Sequence, residues 1–182
     1  MKITEIEVIP VWMEPSDLYH RMFGSNKAVG TSVHAREAWF ANIEYKQNVF
    51  IKIFTDEGII GWGEATAHPV TSETQESIVS TIKLFAKQII GMNPFHIGAV
   101  HEKLDDLFLH GNAGARSAID IACYDIMGKA SGQPIYNLLG GGFQTEFGLM
   151  GTTPRETPEK RAEQVVALCA PALPCRNRSS NF

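Results

Sequence analysis

Residues 48–64 read Asn48-Val49-Phe50-Ile51-Lys52-Ile53-Phe54-Thr55-Asp56-Glu57-Gly58-Ile59-Ile60-Gly61-Trp62-Gly63-Glu64. The run 48–54 is rich in β-branched and aromatic residues and predicts a strand. Thr55-Asp56-Glu57-Gly58 is turn chemistry, with Gly58 free to adopt positive φ. Residues 59–64 return as the partner strand. An antiparallel hairpin is therefore expected here, and the rest of the chain is read outward from it.

Upstream, residues 2–13 form a third strand. Ile6, Val8 and Trp12 share one face of a period-2 pattern, while Glu5 and Glu7 share the other with Ile3, Ile9 and Val11. Pro10 suits an edge position. Residues 14–40 hold Pro15, Gly24, Gly30 and scattered aromatics, and they read as a long loop of the kind that serves as a lid. Downstream the pattern turns helical. Ser72 with Gln75 makes a capping box, and Ile78, Ile82, Phe85 and Ile89 recur at helical spacing before Gly91. Asn93-Pro94 opens a second helix with Ile97, Val100, Leu104, Leu107 and Phe108 on its apolar face. Asn112 caps a third, with Ala115, Ala118, Ile119, Ala122, Ile126 and Ala130 on one face and Gly132-Gln133-Pro134 at its end. Arg116/Asp120 and Asp125/Lys129 fall at i,i+4 spacing.

After one short turn at 134–139 and the junction Gly140-Gly141-Gly142, residues 147–152 predict a short buried strand. Thr157-Pro158 then opens a fourth long helix with Ala162, Val165, Val166 and Cys169 inward. Residues 171–182, PALPCRNRSSNF, lack periodicity and read as an irregular, disordered tail. The fold class is α+β: a three-stranded antiparallel meander, a helical bundle, then one βα unit.

The 182 residues are 44% hydrophobic and 20% charged, with a formal charge of −4. That is an ordinary globular composition. The acidic balance, with no basic stripe, argues against nucleic acid. No apolar run reaches the roughly 18 residues of a membrane span. Glu5 and Glu7 interrupt the apolar start, unlike the core of a signal peptide. Cys123, Cys169 and Cys175 lack metal-site spacing and read as reduced thiols, which places the chain in the cytoplasm.

The chemistry-bearing patterns are sparse. His20, His34, His68, His96, His101 and His110 form no zinc-type pair. His96 and His101 are about 140° apart around one helix and do not share a face. No nucleophile elbow is present, and no P-loop lysine follows the glycine run, which reads as a hinge. Glu64 reads as a strand-end residue bonding locally. No catalytic residue and no metal ligand is identified.

Three stretches together resemble the enolase superfamily, in its mandelate racemase and muconate-lactonizing branch. One is the opening strand 1–11. The second is the hairpin 49–64, which is similar to the family's Thr-Asp-x-Gly-x-x-Gly-x-Gly-Glu pattern. The third and most specific is Ala115-Arg116-Ser117-Ala118-Ile119-Asp120-Ile121-Ala122-Cys123-Tyr124-Asp125-Ile126-Met127-Gly128-Lys129, resuming as Gly132-Gln133-Pro134-Ile135-Tyr136-Asn137-Leu138-Leu139-Gly140-Gly141.

The resemblance implies an N-terminal α+β capping domain over residues 1–142. Residues 143–170 would be the first strand and helix of a truncated (β/α) barrel, whose full form typically takes about 250 residues. It implies that the loops at 16–40 and 65–72 close over a substrate and exclude water. Tyr19, His20, Phe23 and His68 in those loops, and Thr152 at the end of the presumed barrel strand, are the candidate substrate contacts. Each could equally pack locally or bond to nearby backbone.

The implied reaction is removal of the proton α to a carboxylate by a base, with Mg²⁺ stabilising the enediolate. In a full-length relative this serves a racemase, epimerase, cycloisomerase or dehydratase acting on a small carboxylate. The family's Lys-x-Lys motif and its acidic metal ligands lie on later barrel strands. Past Ala170 this sequence reads PALPCRNRSSNF instead, as a frameshift or premature end would produce. The expectation is an N-terminal fragment that supplies the lid, is inactive alone and holds no cofactor itself. The alternative is a non-enzymatic binding or assembly module derived from the capping domain. Oligomerisation stays open.

Overall fold

β2 (Lys46–Thr55) is the centre of a three-stranded antiparallel sheet, between β1 (Ile3–Met13) and β3 (Ile60–Thr66). The computed structural model describes residues 1–14, 46–67, 73–144, 146 and 157–169. The strand expected at 147–152 and the tail at 171–182 lie outside them, as do residues 15–45 and 68–72.

The β2–β3 turn forms as its residues dictate. The Gly58 amide donates to the Thr55 carbonyl at 3.1 Å, and Gly58 takes φ 78°, which costs a glycine little. Thr55 Oγ1 closes the turn, donating to the Ile59 carbonyl at 2.8 Å and accepting from its amide at 3.1 Å.

Val49, Ile51 and Ile53 of β2 are fully buried, and Ile6 and Val8 of β1 lie opposite Ile53 and Ile51 and pack against the same core. The alternation in β1 breaks at its start. The register shifts between Ile3 and Glu5, so Ile3 pairs with Thr55 while Glu5 pairs with Phe54. This bulge turns Ile3 off the face it would share with Glu5 and Glu7 and into the core, where it is 1% exposed. Trp12 departs from expectation in the other direction. It pairs with Gln47, beyond the last buried apolar residue of β2, and stays 57% exposed. On the other face of the sheet a row runs Glu7, Lys52, Trp62. Lys52 bonds Glu7 at 2.9 Å and sits 4.9 Å from the Trp62 ring centre.

Among the described residues the sheet is followed by α1 (Gln75–Ile89), α2 (Ile97–Asp105), α3 (Ala113–Ser131) and the single turn α4 (Ile135–Leu138). The expected α1 face is the observed one, with Ile78, Ile82, Phe85 and Ile89 fully buried. Its capping box is formed by Thr74 and Ser77 rather than by Ser72 and Gln75. Ser72 lies outside the described residues, and the Gln75 amide is used elsewhere, on the sheet. α2 begins at Ile97, later than Asn93-Pro94 suggested. Asn93 Oδ1 instead accepts from the Phe95 amide at 3.0 Å, making a turn ahead of the helix. Leu107 lies past the end of α2 and is exposed, while Val100 and Leu104 are buried. Phe85 and Phe108 meet edge to face at 5.9 Å between ring centres.

α3 lies directly against β3, and two glycines make this possible. A Cβ on Gly63 would stand 1.9 Å from the Ala118 carbonyl oxygen, and one on Gly61 would stand 2.2 Å from that of Ala122. The helix answers with Ala115, Ala118 and Ala122, all fully buried. Its face includes Cys123 and Met127, while Ala130 at its end is exposed. Asp125 Oδ2 accepts from the Trp62 amide at 2.8 Å, and Lys129 Nζ donates to the Ile60 carbonyl at 2.7 Å. The Asp125–Lys129 pair forms at 2.6 Å, but Arg116 does not pair with Asp120. Arg116 goes to Asp105 at 2.6 Å, and Asp120 takes His101 at 2.7 Å.

The chain divides into two units, residues 1–14 with 45–145, and residues 15–44 with 146–182. In the second, α5 (Pro158–Cys169) is the helix expected after Thr157-Pro158. Its Ala162, Val165 and Val166 are exposed rather than inward, Val166 at 71%. An amphipathic stripe turns inward only where a second apolar surface meets it.

Candidate functional site

The sheet has one end where two segments leave it. Residues 15–45 join the end of β1 to the start of β2, and residues 68–72 join the end of β3 to α1. Met13 pairs with Lys46, Asn48 pairs with Thr66, and the Ala67 amide bonds the Gln47 carbonyl at 3.0 Å. Both segments are therefore joined to the same end of the sheet. Of the candidate substrate contacts, Tyr19, His20, Phe23 and His68 fall in these two segments and Thr152 in a third. All five lie outside the described residues.

The described residues supply the framework at that end. Asn48, near the start of β2, is 5% exposed, and its Nδ2 donates to Glu64 Oε1. Asn48 Oδ1 is buried and accepts no hydrogen bond. Gln75, at the start of α1, donates from Nε2 to the Val11 carbonyl at 3.0 Å and to the Asn48 carbonyl at 2.8 Å. One buried amide thus ties β1, β2 and α1 together. Glu73 follows the 68–72 segment directly and is 8% exposed. Its Oε2 accepts from the Gly114 amide at 2.9 Å, across 41 residues.

Glu73 does what Asn112 was expected to do. Asn112 takes φ 54°, and its side chain caps nothing; its Oδ1 accepts from Thr81 Oγ1 at 3.3 Å. The carboxylate of Glu73 fills the place instead, opposite the positive end of the helix dipole. At the other side of the same junction, Arg116 closes the chain between α2 and α3. Its guanidinium donates to the carbonyls of Leu104, Phe108 and Gly111 as well as to Asp105, and it stacks 5.5 Å from the Phe85 ring centre.

Sequence reasoning gave Gln75 and Arg116 other roles, a capping box with Ser72 and an i,i+4 pair with Asp120, and it did not single out Glu73 or the tertiary role of Asn48. Asn48 carried a weak signal, because asparagine is disfavoured within strands. The other three act on residues distant in sequence or on backbone carbonyls, which no local pattern marks.

Chemically the described part is quiet. Burial, aided by the charge of Asp120, pushes the Cys123 thiol up to about 12, so it is neither nucleophile nor ligand at neutral pH. His101 Nε2 is engaged by Asp120 Oδ1. Among the described residues no group of three or more His, Cys, Asp or Glu side chains could hold a metal ion. The residues described do not fit a Mg²⁺ site. Among the same residues, no helix is long and apolar enough to cross a membrane.

Residues 28–140 match the model of the family "Mandelate racemase / muconate lactonizing enzyme, N-terminal domain". The N-succinyl-L-Arg/Lys racemase of Bacillus cereus is 41% identical over 123 residues, 66% of this chain and 33% of that protein. The solved structure of N-succinyl Arg/Lys racemase from Bacillus cereus superposes with a TM-score of 0.75 at 34% identity, covering 92% of this chain and 41% of that one. A dipeptide epimerase from Enterococcus faecalis, solved with Mg and the dipeptide L-Leu-L-Tyr, gives a TM-score of 0.70 at 32% identity, covering 92% and 42%. The chain spans about a third of the length of the curated relatives it matches. With its meander, its Gly61/Gly63 contact with α3 and its matched N-terminal region, the chain belongs to the mandelate racemase/muconate lactonizing enzyme branch of the enolase superfamily.

Proposed function

We propose that this chain is the N-terminal part of a mandelate racemase/muconate lactonizing-type enzyme and serves as its substrate-closing cap. The observation that carries the reading is the superposition on the racemase, which covers 92% of this chain but 41% of that one. The parent reaction is magnesium-assisted abstraction of the proton α to a carboxylate, in a racemase, epimerase, cycloisomerase or dehydratase. Relatives that act on N-succinyl amino acids and dipeptides support a small carboxylate substrate. On this reading the base and the metal ligands belong to later barrel strands, and the chain by itself is expected to be inactive and to hold no cofactor of its own. The cap role is supported by the sheet end to which residues 15–45 and 68–72 are both joined; Tyr19, His20, Phe23 and His68 in those segments, and Thr152, are the proposed substrate contacts. The cysteines and the charge balance support a cytoplasmic protein without nucleic-acid or membrane partners.

Deuterium exchange at the α-carbon of N-succinyl amino acids and dipeptides, followed by proton NMR with Mg²⁺ present, tests the reading. The chain alone should give no exchange. The chain mixed with the barrel portion of the Bacillus cereus racemase should restore it. Exchange by the chain alone would overturn the assignment of the catalytic groups. A folded chain that never associates with the barrel would point to the non-enzymatic module instead.

A further inference from the structure

We draw no further inference here: the strongest candidate, the outer face of the β-sheet where Trp62 and Ile60 stand exposed beside the half-buried Phe50 and Phe54, carries nothing because nothing among the described residues shows what covers it.

Discussion

Replacing Gly63 by alanine should cost this chain more than any other single methyl group added to the sheet. The new Cβ would lie 1.9 Å from the Ala118 carbonyl oxygen, 2.8 Å from its carbonyl carbon and 3.2 Å from Ile51 Cγ1. Contacts below 3.0 Å essentially do not occur, so the shortfall is at least 3.0 − 1.9 = 1.1 Å. The obstacle is helix backbone, and no rotamer change relieves it. α3 must retreat from β3, or β3 must bend, and either loosens the packing of Ala115, Ala118, Ala122 and Ile126, which are all fully buried. Overpacking of this kind costs about 1–3 kcal/mol and occasionally more. A rigid backbone obstacle places Gly63→Ala near the upper end, about 3 kcal/mol. At about 4 °C per kcal/mol for a unit of this size, Tm falls by about 12 °C.

Circular dichroism at the helical band, recorded through thermal unfolding, reads this directly. Two controls make it specific. Gly58→Ala meets nothing within 4 Å but holds φ 78°, so it should show only the smaller cost of a left-handed alanine, about 1–2 kcal/mol. Ala118→Gly should not rescue Gly63→Ala, because the clash is with the Ala118 carbonyl and not with its methyl. A Gly63→Ala protein melting within about 2 °C of the wild type would refute the close-packing argument.

Other predictions follow from the junctions around α3. Glu73→Ala should lose the tertiary cap, about 1 kcal/mol, and hydrogen exchange should speed up at Gly114 while the α1 amides are less affected; unchanged exchange at Gly114 would count against the cap. Arg116→Lys should destabilise nearly as much as Arg116→Ala, about 2–3 kcal/mol by denaturant titration, because one ammonium cannot serve three carbonyls and Asp105 together. Cys123 should resist alkylation at pH 8 in the folded chain and react once unfolded, as mass-spectrometric mapping would show. Its thiol rises from 9.0 to about 12 on folding, so the folded state holds the proton more tightly. The resulting contribution to stability is fully present below pH 9 and is lost as pH rises from 9 towards 12.

What could be read in advance was local. The hairpin turn depends on four adjacent residues, and Gly58 alone supplies its positive φ. The α1 face follows from the spacing of Ile78, Ile82, Phe85 and Ile89. What failed was non-local. The direction of Ile3 depends on a bulge that only the pairing with β2 reveals. Arg116 had Asp120 one turn away but turns to Asp105 and three carbonyls, where a planar guanidinium satisfies several acceptors at once. Asn112 has the composition of a cap, yet the carboxylate of Glu73, 41 residues before Gly114, holds the first turn of α3. The resemblance of the hairpin and of residues 115–141 identified the family, and close packing gives the physical reason for two of its glycines. The candidate contacts Tyr19, His20, Phe23, His68 and Thr152 lie outside the described residues, and only the sequence pattern and the family resemblance speak for them.

The bonds from α3 to β3 also bear on solubility. A strand at the rim of a sheet offers unpaired amides and carbonyls to any passing chain, and aggregation begins there. On β3, Asp125 and Lys129 have already taken the Trp62 amide and the Ile60 carbonyl. At the opposite rim, β1 carries Pro10, which has no amide to offer, and the exposed charges of Glu5 and Glu7. The sheet therefore resists growing at either side, and removing the Asp125 carboxylate should make the protein aggregate sooner before it makes it unfold.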